Sequence, residues 1–116
     1  MEHEHHLRSL TQQDNGYIGF CAGCGSYNVA YKNMLFVLAE PEYTYFRQAL
    51  TDHLGMRPFY TTHGKEWLLK TPMQNYYLML TDDEISEMGQ MMDDASLLMQ
   101  VDDILRSSTE SNRRGN

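Results

Sequence analysis

The sequence predicts an α+β domain: an antiparallel sheet of about five strands with two helices, in the order β-β-β-α-β-β-α. Three observations predict it. Short runs of alternating apolar and polar side chains cluster in two places, each cluster leads into a stretch with apolar residues at helical spacing, and turn-forming residues separate the runs. A chain of 116 residues has room for one such domain, placed at residues 16–106 between a flexible segment at 1–15 and a disordered tail at 107–116.

Tyr17 to Cys21 and Tyr27 to Tyr31 read as two strands joined by the turn that carries both cysteines. Met34 to Ala39 reads as a third, entered through Lys32-Asn33, where Asn tolerates the positive φ of a tight hairpin. Pro41 suits the first turn of a helix, Glu40 and Glu42 suit the positive end of its dipole, and Tyr43, Phe46, Leu50 and Leu54 recur at helical spacing. That helix spans about residues 41–54 and stops at Gly55 and Pro58.

Glu66 to Lys70 and Asn75 to Leu80 form a second hairpin turned at Thr71-Pro72. Thr81 is placed to cap a second helix, with Glu84 completing a capping box. At an offset of 42 residues Asn33 falls on Asn75, Leu38 on Leu80, Glu42 on Glu84 and Tyr43 on Ile85, which suggests two ββα units behind a leading strand. Chance similarity between two strand-to-helix junctions accounts for the same matches.

The apolar residues exceed what two helices on one sheet face can cover. Ile85, Met88, Met92, Ala95 and Met99 make the stripe that a helix lays on its own sheet. Met91, Leu98 and Leu105 form another line, joined by Leu97, Val101 and Ile104, on a helix expected at 82–106 and about 37 Å long. In the strands Leu35 and Val37 point away from Met34, Phe36 and Leu38, and Tyr77 and Met79 away from Tyr76, Leu78 and Leu80. Leu35, Val37, Tyr77, Met79, Met91, Leu98, Val101 and Leu105 are therefore expected at the interface of a homodimer. The methionines fill the core and that interface in this reading, and an adaptable peptide-binding groove is the other use for them.

Sixteen acidic residues against nine basic give a formal charge of −7, which offers no footprint for nucleic acid and no polybasic patch for a membrane surface. The longest apolar run, Met34 to Ala39, is too short to span a bilayer, and the first residues do not resemble a signal peptide. A cytoplasmic protein is expected. The pairs Asp93-Asp94 and Asp102-Asp103 lack the ligand alternation of a calcium loop and read as a solvated face.

Cys21-Ala22-Gly23-Cys24-Gly25 is where chemistry would sit. A zinc knuckle places two thiolates on such a turn, and Gly after the second cysteine takes the left-handed backbone that aims amides at sulfur. Zinc needs four ligands, so His53 and His63 complete the candidate set of Cys21, Cys24, His53 and His63; a site shared across a dimer axis, two thiolates from each subunit, is the other solution. A thiol redox pair and two packed thiols remain alternatives. His3, His5 and His6 read as a solvated tail. No nucleophile elbow, phosphate loop, dinucleotide fingerprint or zincin motif occurs, and no cofactor other than zinc is suggested.

Gly16-Tyr17-Ile18, Cys21-x-x-Cys24, Tyr27-x-Val29-x-Tyr31-x-Asn33 and Glu42-Tyr43 with Phe46 resemble an uncharacterised family of small bacterial proteins, a domain of unknown function. Lys70-Thr71-Pro72-x-Gln74-Asn75-x-Tyr77-Leu78-x-Leu80 and the Glu84-Ile85 helix resemble its second half. The resemblance covers residues 16–100, leaves the segment Leu97 to Arg106 beyond the usual pattern, and implies a small stand-alone α+β protein without a transferable activity. The combined expectation is a non-catalytic homodimeric module that binds other proteins. A zinc-binding protein and a thiol redox protein or small enzyme are the rivals.

Overall fold

Four strands, not three, precede the first helix. The computed structural model describes the backbone of residues 7–62, 64, 66–71 and 74–114, and side chains through residue 106. The order is β1 (Leu7–Gln13), β2 (Gly16–Cys21), β3 (Ser26–Tyr31), β4 (Met34–Ala39), α1 (Glu40–Asp52), β5 (Met56–Pro58), β6 (Trp67–Lys70), β7 (Tyr77–Leu80) and α2 (Asp82–Arg114). The strands form two antiparallel sheets, β1-β2-β3-β4 and β5-β6-β7. The class is α+β as expected; the single sheet of about five strands is corrected to two sheets, of four and three.

The added strands are those with the weakest local signal. β1 falls in the segment expected to be flexible, and it lacks alternation because its register shifts between Ser9 and Thr11. The unpaired residue at that bulge is Leu10, which turns into the core and is 9 % exposed. β5 is three residues long and ends in Pro58, which an edge strand accommodates. The predicted turn at Pro72 lies outside the described residues. α2 remains helical to Arg114, through most of the expected tail.

One face of the larger sheet bears both helices. Its register sets Ile18 beside Val29 and Val29 beside Phe36, and likewise Phe20 beside Tyr27 and Tyr27 beside Leu38. These residues face the helices, with α2 over β1 and β2, α1 over β3 and β4, and the helices against each other. Tyr43 of α1 stacks on Tyr27 at 4.0 Å between centroids, and its hydroxyl donates to the Met92 carbonyl of α2 at 2.8 Å. Burial pushes the Tyr43 phenol up to about 12. At Gly16 a Cβ would stand 2.1 Å from the Ala30 carbonyl oxygen, so only glycine allows β2 and β3 to approach there.

Both strand-to-helix junctions use the same device. The Glu42 carboxylate accepts the Ala39 amide at 2.8 Å, and the Glu84 carboxylate accepts the Thr81 amide at 2.9 Å. Thr81 returns the bond, its hydroxyl accepting the Glu84 amide at 3.1 Å, which completes the capping box at α2. The matches at an offset of 42 therefore mark two equivalent junctions. At the β3–β4 turn the positive φ falls on Lys32, at 52°, and not on Asn33. Lys32 is held there by its amide, which donates to the Asn15 carbonyl at 2.6 Å, and by an ion pair with Glu84 at 2.6 Å.

Candidate functional site

The cysteine turn has the shape that the sequence suggests. The Gly25 amide donates to the Cys21 carbonyl at 2.8 Å, and Gly25 adopts a left-handed φ of 66° with nothing within 4 Å of a hypothetical Cβ. Cys21 is buried and Cys24 exposed, and no disulfide joins them. A hydrogen bond with Cys21, some desolvation and the neighbouring sulfur raise the Cys24 thiol above its ordinary value.

The histidines do not join the cysteines within the described residues. His53 ends α1 with a left-handed φ of 56° and its ring stands 4.7 Å from that of Trp67. It lines a recess with Asp82 and Ile85 at the start of α2. The cysteine turn is at the other end of that helix, since Arg8, paired with Phe20 of β2, forms an ion pair with Asp102. Ile85 and Asp102 are about 25 Å apart along the helix. His63 lies outside the described residues, and among the described residues no group of three or more metal-ligating side chains occurs. Among the described residues, two of the four candidate ligands, Cys21 and Cys24, come together.

The expected interface residues separate into two groups. Leu35, Val37, Tyr77, Met79, Val101 and Leu105 are exposed, as are Leu97 and Ile104. Met91 is corrected to the core, at 1 % exposure, and Leu98 is half-buried against it. Exposure along the line Met91, Leu98, Leu105 rises from 1 % at Met91 to 58 % at Leu105.

Between β4, α1 and the smaller sheet lies an apolar groove of about 850 Å³. Leu35, Val37, Tyr45, Phe46, Leu54 and Leu78 line it, with Glu42 and Lys70 as its charged members. Tyr45 and Leu54 were not expected there. Tyr45 lies off the Tyr43–Phe46–Leu50 stripe and is 64 % exposed, and an aromatic residue on the wet side of a helix was the available signal.

A family model matches residues 1–109. The chain belongs to DUF6686, a family of unknown function. The match takes in Leu97 to Arg106, so the apolar end of α2 lies within the family's span and not beyond it. No curated protein and no solved structure matches the chain. No helix among the described residues is long and apolar enough to cross a membrane.

Proposed function

We propose that this DUF6686 chain is a non-catalytic, homodimeric protein-interaction module of the cytoplasm. The observation that carries the reading is uncovered apolar surface in two places, at β4 and along the end of α2. Leu35, Val37, Leu97, Ile104 and Leu105 are each 58–66 % exposed. Isolated exposed residues need no explanation, but contiguous ones rimmed by charge mark an interaction surface. Sizing with light scattering at micromolar concentration is expected to return twice the chain mass of 13.5 kDa. A mass of one chain would overturn the dimer.

Zinc binding is the second reading, favoured by the paired thiols and the left-handed Gly25. Two thiolates from each of two protomers would complete a tetrahedral site. The expected result is one zinc per two chains in tag-free protein by elemental analysis, lost in the double variant Cys21→Ser, Cys24→Ser. A zinc content near zero would remove this reading and leave the first intact.

A further inference from the structure

We infer that the groove beside β4 receives the C-terminal arm of α2 from a second copy, each protomer giving one arm and accepting one. The inference rests on the dimer proposed above and assigns it a geometry.

The arm is defined by a change of character along one face of α2. On the side away from the core, Gln90 bonds to Asp94 at 2.9 Å and Asp93 to Arg47 at 2.6 Å, so that face begins as polar surface. From Leu97 onward it becomes apolar, with Leu97, Val101, Ile104 and Leu105 between 42 and 66 % exposed. These positions recur at intervals of three and four, the pattern of a helix laid in a groove. A solvated helix has no use for this change.

The outer face of the arm cannot reach the groove of its own domain. α2 has 33 residues, about 50 Å of helix, while the shorter extents of the molecule are 33 and 25 Å. The Cα radius of gyration is 17.0 Å, against about 13 Å for a compact chain of this length. Its inner face is committed to β1 and β2, whereas the groove opens at β4, the opposite edge of the same sheet. A continuous helix cannot fold back across that sheet.

The groove and the arm match in chemistry and in area. The groove offers Leu35, Val37, Tyr45 and Leu54 as exposed apolar side chains, with Glu42 and Lys70 as its charged pair. The arm offers four apolar side chains, with Asp103 and Arg106 exposed beside them. Burying these eight side chains at roughly 60–120 Å² each removes on the order of 500–1,000 Å² per protomer. A stable interface needs about 800 Å² per partner. Exchange across a two-fold axis closes the assembly, so the contact yields a dimer and not a filament.

The test uses two full-length variants: Val101→Glu with Ile104→Glu on the arm, and Leu35→Glu with Tyr45→Glu on the groove. All four positions are exposed, and circular dichroism with thermal unfolding checks that each variant retains the fold. Each variant alone is expected to weaken dimerisation on the order of 100-fold by sedimentation equilibrium. An equimolar mixture is expected to form a heterodimer of intermediate affinity, because the intact arm of one chain meets the intact groove of the other. If only the arm variant dissociates, the arms pair with each other; if only the groove variant does, the β4 surfaces pair. Either result, or a mixture that gains nothing, overturns the arm-in-groove geometry and leaves the dimer standing. A monomeric wild-type protein overturns both.

Discussion

Met92→Ala is expected to lower the unfolding free energy by about 2–5 kcal/mol, the range for truncating a fully buried methionine. Met92 is 0 % exposed and sits where α2 meets both the sheet and α1. Its carbonyl takes the Tyr43 hydroxyl, so a backbone shift that closed the cavity would stretch that bond. Collapse is therefore restricted, which places the effect in the upper half of the range. Domains of this size have about 5–15 kcal/mol in total, so much of the stability would be lost. Urea unfolding followed by circular dichroism measures it. Met92→Leu conserves volume and should cost less than about 1.5 kcal/mol. Equal losses for the two variants would show that packing at this seam is not the cause.

Glu84→Ala is expected to cost about 2–3 kcal/mol, because one carboxylate serves both the cap of α2 and the β3–β4 turn. Its side chain is 7 % exposed, accepts the Thr81 amide at 2.9 Å and pairs with Lys32 at 2.6 Å. Removing it exposes the first turn of α2 and frees a lysine that otherwise holds a positive φ. Glu87, one turn on, joins the same end of the sheet: it accepts from the Tyr31 hydroxyl at 2.6 Å and from the Asn15 amide at 2.7 Å. The Tyr31 hydroxyl, then Asn15, holds the Glu87 carboxyl below its usual value of 4.5. A carboxyl depressed in the folded state stabilises above its unfolded pKa, and that contribution disappears as pH falls from about 4.5 through the folded value. Glu66 has the opposite sign, since its contact with Asp82 raises it, and its contribution is lost as pH rises. Urea midpoints measured downward from pH 6 should therefore fall less steeply in Glu87→Gln than in the wild type. Parallel curves would remove Glu87 as a source of the acid sensitivity.

The candidate site was legible only where its signals were local. The cysteine turn depends on five consecutive residues, and the left-handed Gly25 follows from glycine's freedom at a position any other residue would strain. The proposed zinc set depended on long-range placement, and His53 illustrates the difficulty. Nothing near it in sequence records that α1 ends at the start of α2 while the cysteines lie at that helix's other end. The dimer residues divided in the same manner. Alternation along β4 correctly separated Leu35 and Val37 from the core, because a strand's two faces follow from its own geometry. Met91 was misplaced because a helical position is buried or exposed according to which elements flank it.

By itself the sequence determined the pieces that close within a few residues: the β2–β3 and β3–β4 hairpins, the capped start of α2, and the inner stripe from Ile85 to Ala95. Their causes are backbone sterics, capping hydrogen bonds and side-chain periodicity, all of which act over one or two turns of chain. Only the tertiary structure decided that Leu7–Gln13 is a strand, that β5, β6 and β7 form a separate sheet, and that Lys32 takes the positive φ. β1 depends on β2 to pair with it and on a bulge to turn Leu10 inward, and Lys32 depends on Asn15 and Glu84. Each of these outcomes depends on a contact between residues distant in the chain, where local preference is weak and pairing decides.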